Sequence, residues 1–184
     1  EVKTVVDLSE KRREFVKSLY PSIEVTDKVD KVFKDSEIKA IVIATPVATH
    51  FELTIKALEE GKHVLVEKPL TLNIEHALEL VDLAGEYGVN LMVGHVLLFH
   101  PAIQKIKEII CEGKIGKLQY IYSNRLNLGQ VRTKENVFWS LAPHDISIFQ
   151  YFTESYPEEI RAMGSTFLQK GIQDSTITHL KYPD

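Results

Sequence analysis

The chain has 184 residues, of which 44% are hydrophobic and 26% charged, and its formal net charge is −4. These values are typical of a soluble globular protein with one domain or two small ones. The negative charge provides no basic field that would attract nucleic acid or an anionic membrane, and no apolar run reaches the ~20 residues of a membrane span. We therefore expect a cytoplasmic protein that has neither nucleic acid nor a membrane as a partner.

The first half of the sequence alternates short apolar runs with amphipathic helices. This alternation is typical of βαβ units, which build a parallel sheet. Residues 40–44 are apolar on both faces, as expected of a strand buried in the centre of such a sheet. The predicted elements are strands at 2–6, 40–44, 63–66 and 90–93, helices at 10–19, 49–60 and 74–87, and a short helical turn at 29–33, with Ser9 and Asn73 as caps and Gly61 and Gly88 as stops.

The pattern changes near residue 97, where β-rich runs become more frequent than helices. Such a change indicates a second domain with an open, mostly antiparallel sheet. We place the domain boundary between residues 96 and 97. The predicted elements are helices at 101–112 and 142–152, a turn at Gly113 and Gly116, and strands at 118–127, 159–167 and 175–182.

Both ends of the sequence suggest a fragment. The chain enters a strand at once without an initiator methionine, and it stops as the last strand reaches a turn at Pro183. No G-x-G-x-x-G motif, which would bind a dinucleotide phosphate, occurs in the sequence. We expect the first strand and the glycine loop to precede Glu1, and the second domain to be truncated.

Polar and ionisable residues follow the apolar strands of the first half. In open α/β sheets, ligands bind beyond the carboxyl ends of the strands, so these residues are the first candidates for a site. They are Asp7, Thr45 with Pro46, Glu67 with Lys68 and Pro69, and Gly94 with His95.

Asp7 follows the first strand, where an acid accepts hydrogen bonds from the adenosine ribose of a dinucleotide. A carboxylate would repel the 2′-phosphate of NADP, so Asp7 favours NAD. Lys11, Arg12 and Arg13 can each meet a phosphate, and NADP therefore stays open. The alternative is a solvated aspartate in a turn.

Lys68 follows a strand and lies between an acid and a proline. A cation held there can donate a hydrogen bond to a substrate hydroxyl and stabilise a developing alkoxide. The alternative is an exposed lysine in a turn, paired with Glu67.

His144 and Asp145 follow Pro143 at the predicted start of a helix. A histidine there can accept a proton from a hydroxyl group, although a lone histidine can equally be structural. A polar stretch precedes it, with arginines suited to binding a carboxylate or a phosphate, or lying on a surface loop. This stretch contains Arg125, Asn127, Arg132, Asn136 and Trp139.

The single cysteine, Cys111, excludes an intrachain disulfide and a thiolate zinc cluster. It follows two isoleucines in a predicted helix, which favours a buried and unreactive thiol. His95 and His100 lack further ligands at a suitable spacing for zinc, so we expect no metal site.

Together these residues resemble the Gfo/Idh/MocA oxidoreductases, a family that includes glucose–fructose oxidoreductase and inositol dehydrogenase. The resemblance covers nearly the whole chain, and its most specific motif is E-K-P at residues 67–69. It implies a partial NAD(P)-binding Rossmann domain at 1–96 and a partial α+β domain for catalysis and oligomerisation at 97–184. The matching positions are Asp7, 44–46, His50, 61–70, 92–95 and 113–118.

The resemblance also implies roles for individual residues in an NAD(P)-dependent dehydrogenase that acts on a CH–OH group of a sugar or nucleotide sugar. Lys68 and His144 are the catalytic pair, converging on one alcohol, and His144 matches the histidine of a D-x-x-x-H motif. The cofactor-binding residues are Asp7, Thr45, Pro46, His50, Glu67, Lys68 and Pro69. The substrate-binding residues are Lys68, His95, Arg125, Asn127, Arg132, Trp139 and His144.

One position departs from the family, because Ser140 replaces the aspartate of that motif. A non-catalytic dinucleotide sensor or assembly subunit therefore remains the alternative function. Residues 124–129 and 138–147 resemble a subgroup that oxidises the 3-hydroxyl of UDP-N-acetylglucosaminuronate-type substrates. The resemblance implies a homo-oligomer, and we expect the fragment by itself to bind NAD poorly and to be inactive.

Overall fold

The computed structural model describes residues 1–126, 131 and 135–183. The chain divides into two compact units, Glu1–Gly94 and His95–Asp184. Among the described residues, no helix has the length and apolar character that crossing a bilayer requires.

The first unit alternates strands and helices, as the sequence predicts. Two short elements were not predicted, a strand after α1 and a 3₁₀ turn at Val47–Thr49 that leads into α3. In chain order the elements are β1 (Thr4–Val6), α1 (Glu10–Leu19), β2 (Glu24–Thr26), α2 (Val29–Lys34), β3 (Ala40–Ile43), α3 (His50–Glu59), β4 (His63–Val66), α4 (Ile74–Glu86) and β5 (Leu91–Val93).

The helix ends follow from side chains that satisfy unpaired backbone groups. The Ser9 hydroxyl accepts a hydrogen bond from the Arg12 amide at the start of α1. The Asn73 side chain accepts from the His76 amide, at 3.1 Å, at the start of α4. Gly88 follows α4 with φ +63, a conformation that other residues rarely adopt. These caps are confirmed.

The strands of the first unit form two parallel ladders. β1 pairs with β2, and β3, β4 and β5 form a three-stranded sheet in that order. Val66 of β4 pairs with Ile43 on one side and with Val93 on the other. Because all strands of a parallel sheet run the same way, β3, β4 and β5 end at one edge.

The core of the first unit lies between the three-stranded sheet and the helices α3 and α4, which pack against each other. Its buried members are Phe33, Ile43, Ala57, Leu58, Val64, Val66, Leu80 and Ala84. On β3, Val42 points to the other face and is 68% exposed. The prediction that residues 40–44 are buried on both faces is therefore wrong for one face, because α3 and α4 pack against the residues of the opposite face.

Replacement of Leu80 tests this core, because its side chain on α4 is fully buried. We expect Leu80→Ala to lower the free energy of unfolding by about 2–5 kcal/mol, since it loses apolar contacts and leaves a cavity. Leu78 on the same helix is 60% exposed, and Leu78→Ala should cost about 0.5 kcal/mol or less. Urea titrations followed by circular dichroism measure both, and equal losses in the two variants would contradict this core.

Within its described residues, the second unit contains two long helices and one antiparallel hairpin of strands. They are α5 (Pro101–Cys111), α6 (Val137–Thr153), β6 (Glu159–Ser165) and β7 (Ser175–Lys181), with β6 paired to β7. A parallel-sheet unit followed by an α+β unit with an antiparallel sheet confirms the predicted fold class.

Three predictions for the second unit are wrong. Residues 118–126 form no strand within the described part of the chain, because a β-strand needs a neighbouring strand for its ladder. The thiol of Cys111 is exposed, because this residue lies at the end of α5. His144 does not open its helix, because Asn136 caps α6 seven residues before Pro143.

Candidate active site

Each strand of the three-stranded sheet in the first unit is followed by a candidate residue near its carboxyl end. The Glu67 amide donates to the carbonyl of Ile43 at 2.9 Å, and the Gly94 amide donates to that of Val66 at 2.8 Å. These bonds extend the ladder by one residue beyond β4 and β5. The ends of β3, β4 and β5 are thereby fixed side by side.

The turn after β3 is held by local hydrogen bonds. The Thr45 and Thr49 hydroxyl oxygens lie 2.7 Å apart. The hydroxyl of Thr49 donates to the Pro46 carbonyl at 2.8 Å, and its amide donates to the same oxygen at 2.9 Å. Thr45 and Pro46 remain exposed, so this turn, which leads into α3, presents both predicted residues at the surface.

His50, at the start of α3, lies beneath this turn and is only 1% exposed. Its Nδ1 lies 2.9 Å from the Pro69 carbonyl oxygen, and its Nε2 lies 2.8 Å from the Thr45 carbonyl oxygen. The imidazole therefore connects the turn after β3 with the turn after β4. This placement is internal, whereas the sequence places His50 among residues that contact a cofactor.

The turn after β4 contains the E-K-P motif. Glu67 is exposed, Lys68 and Pro69 are half-buried, and the Lys68–Pro69 peptide bond is cis. A Cβ atom added to Gly94 would lie 3.2 Å from the Glu67 carboxylate. The glycine thus leaves room for this carboxylate at the end of β5, which brings the acid of the motif and the third strand end together.

Asp7 ends the other ladder, where its amide donates to the Thr26 carbonyl at 3.1 Å. One carboxylate oxygen accepts from the Ser9 amide at 2.8 Å, and the other lies 3.6 Å from the Arg12 guanidinium. The acid is therefore oriented at a strand end, and its side chain is 27% exposed.

The basic residues beside Asp7 differ in their contacts. The guanidinium of Arg13 donates to the carbonyl oxygens of Asp7 and Leu8, at 2.7 and 3.0 Å. The side chain of Arg12 is 77% exposed. Of the two arginines that could contact a phosphate, Arg13 is therefore already bound to backbone carbonyls.

The second unit contains the other candidates. His144 is half-buried within α6, and His95 is half-buried directly before a 3₁₀ turn at Val96–Phe99. The Trp139 side chain on α6 is 37% exposed. The predicted substrate residues Asn127 and Arg132 lie outside the described residues.

Asp145 has contacts that the sequence did not predict. Its carboxylate accepts hydrogen bonds from the Ser123 hydroxyl at 2.9 Å and from Arg125 Nε at 2.6 Å. The partners are 22 and 20 residues away along the chain, so no local spacing signals this cluster. It holds the Arg125 side chain against α6, one residue after His144.

No group of three or more histidine, cysteine, aspartate or glutamate residues within the described ranges has the arrangement of a metal site. The structure thus brings Thr45, Pro46, His50 and the E-K-P motif together in the first unit. His144, Arg125 and Trp139 belong to the second unit.

Comparison with known proteins matches both parts of the chain. A family model described as "Oxidoreductase family, NAD-binding Rossmann fold" matches residues 1–95, and one for the GFO/IDH/MocA C-terminal domain matches residues 103–184. A solved structure, an NAD-binding protein from Listeria innocua, is similar with a TM-score of 0.88 and 25% identity, over 99% of this chain and 56% of that one.

Two curated relatives indicate the range of reactions among similar proteins. A 2,7-anhydro-N-acetylneuraminate hydratase from Mediterraneibacter gnavus is 29% identical over 157 residues, which are 80% of this chain and 42% of the relative. A UDP-N-acetylglucosamine 3-dehydrogenase from Acidithiobacillus ferrooxidans is 34% identical over 130 residues, which are 70% and 40%. The chain spans less than half the length of these relatives.

Proposed function

The chain belongs to the Gfo/Idh/MocA family of oxidoreductases, and from this premise we propose that the whole protein is an NAD-dependent dehydrogenase of a sugar or nucleotide sugar. The two curated relatives support this substrate class, since each is named for an N-acetylated sugar. The proposal retains residues 1–96 as the cofactor-binding part and residues 97–184 as the part for catalysis and oligomerisation.

One observation supports the proposal above the others: the three neighbouring strand ends form a single polar surface. His50 joins the turns after β3 and β4, and the Glu67 carboxylate lies against Gly94 at the end of β5. Ligands of α/β sheets bind at this edge.

The residues present fit an NAD molecule. Asp7 is an oriented carboxylate at a strand end and can accept hydrogen bonds from the adenosine ribose. Thr45, Pro46 and Glu67 are exposed at the other strand ends and would hold the nicotinamide side. When bound, NAD supplies the acceptor for the hydride. NAD is favoured over NADP because Asp7 is acidic and Arg13 is engaged by backbone carbonyls.

Oxidation of a carbinol also removes a proton from its oxygen, which gains negative charge as the proton leaves. Two side chains are proposed to take part in this step. The ammonium group of Lys68 donates a hydrogen bond to the substrate oxygen and stabilises the alkoxide character that develops there. An imidazole nitrogen of His144 accepts the hydroxyl proton as general base. His95, Arg125, Asn127, Arg132 and Trp139 are proposed to bind the substrate.

The competing function is a dinucleotide sensor or assembly subunit without catalysis, which Ser140 favours because it replaces the motif aspartate. An assay of the whole protein separates the two. The panel contains UDP-N-acetylglucosamine, its uronate, 2,7-anhydro-N-acetylneuraminate and inositols, each with NAD or NADP. Reduced nicotinamide is followed by absorbance, and products are followed by mass spectrometry.

We expect one nucleotide sugar or sugar to be oxidised with NAD in preference to NADP. Binding of NAD, measured by calorimetry, without turnover of any compound would instead support the sensor. A homo-oligomer and a cytoplasmic location stay predictions of the sequence.

A further inference from the structure

His50 has an unusual pair of partners for a buried histidine. Both ring nitrogens lie within 2.9 Å of backbone carbonyl oxygens, those of Pro69 and Thr45. A carbonyl oxygen can only accept, so each contact is a hydrogen bond only when the ring nitrogen donates, and both bonds exist at once only when both ring nitrogens carry a proton. With His50 only 1% exposed, water competes little for either bond.

The two carbonyls belong to the two turns on which the proposed function depends. Thr45 begins the turn after β3, and Pro69 directly follows Lys68 in the turn after β4. Proline has no amide hydrogen, so its carbonyl is the only backbone polar group by which Pro69 can be anchored. A bond to that carbonyl fixes the peptide next to Lys68.

We propose that His50 is a positioning residue that holds Lys68 through Nδ1 and the Thr45 turn through Nε2. This inference rests on the proposed dehydrogenase function. Nδ1 governs the placement of the Lys68 ammonium group, and Nε2 governs the placement of Thr45 and Pro46 on the nicotinamide side. At 1% exposed, His50 offers little surface for direct contact with substrate or cofactor. A displacement of about 1 Å at a reacting group is enough to lower turnover strongly.

The two bonds can be removed separately. The amide nitrogen of asparagine takes the place of Nδ1 and that of glutamine takes the place of Nε2. His50→Asn therefore keeps the bond to Pro69, and His50→Gln keeps the bond to Thr45. His76→Asn is the matched control, because His76 is a half-buried imidazole on α4 that stacks on Phe51 and lies outside the proposed site.

The expected result in the whole protein is a crossed effect. His50→Gln should lower kcat about tenfold or more with the KM for NAD within about threefold of wild type. His50→Asn should raise the KM for NAD about tenfold and leave kcat within about threefold. A role in general stability alone would give the two variants the same kinetic change, and this outcome would overturn the proposal.

Hydrogen exchange measured by mass spectrometry tests the same assignment without activity. His50→Gln should speed exchange of the amides at 70–73, His50→Asn should speed those at 47–49, and His76→Asn should change neither segment. If the wild-type protein oxidises no substrate, the proposed function fails while this exchange pattern still decides the role of His50.

A wild-type measurement covers the case in which the variants do not fold. A crystal structure of the whole protein should retain both ring contacts. A ring nitrogen of His50 more than about 3.5 Å from its carbonyl oxygen would make no hydrogen bond and would overturn the proposal.

Discussion

Replacement of Lys68 by methionine is expected to lower kcat of the whole protein by about 10²–10⁴-fold. Methionine retains the length and apolar stem of lysine but removes the ammonium group that would stabilise the alkoxide. The dissociation constant for NAD should stay within about threefold of wild type, because the oriented Asp7 carboxylate lies at a different strand end. Steady-state kinetics and calorimetry measure the two quantities.

Lys62 provides the matched control for this variant. It is a second lysine next to β4, at the end of the strand opposite to Lys68. Its side chain is buried, and its ammonium group donates to the Asp35 carbonyl at 2.6 Å. Lys62→Met should therefore lower the free energy of unfolding but leave kcat within about threefold. If Lys68→Met turned over substrate at a near-normal rate, Lys68 would be a turn lysine without a catalytic role.

Local signals in the sequence predicted those elements whose formation depends on local interactions. Ser9 and Asn73 marked the starts of α1 and α4, because a cap satisfies amides only two or three residues away. The apolar runs of β4 and β5 were equally clear, since their residues supply the core. The order of the first unit's elements could therefore be predicted from residues close together in the chain.

Elements that depend on distant partners could not be predicted in the same way. β2 has three residues, of which only Val25 is apolar, and it exists because it pairs with β1. Residues 118–126 show the opposite error, because a β-rich run indicated a strand there, whereas these residues form no ladder with any described strand. Strand formation is decided by pairing, which local polarity does not specify.

The candidate site likewise has parts that could be predicted from the sequence and parts that could not. Parallel strands place their carboxyl ends together, so the positions of Thr45, Glu67 and Gly94 could be predicted from strand order alone. The burial of His50 between two carbonyls could not be predicted, because it depends on how α3 packs beneath two turns. The contact of Asp145 with Arg125 joins residues that are 20 positions apart, so no local sequence pattern predicts it.

Replacement of His144 by glutamine should lower kcat by about 10²–10⁴-fold, because glutamine preserves a polar side chain of similar length but cannot accept the substrate proton. A general base works only when its ring is neutral, so wild-type kcat/KM for oxidation should rise with pH as the ring loses its proton. This ascending limb should be absent in the variant. Rates measured across the pH range at saturating NAD test both points.

His179 is the control for this last prediction, since it is an exposed histidine on β7 in the same unit. His179→Gln should retain both the rate and the ascending limb, which separates loss of a particular base from loss of any imidazole. His144 is half-buried within α6, so its variant must also be compared with wild type by urea unfolding. A well-folded His144→Gln protein with a normal rate and an unchanged pH profile would show that the histidine is structural, and the proton would then need another acceptor.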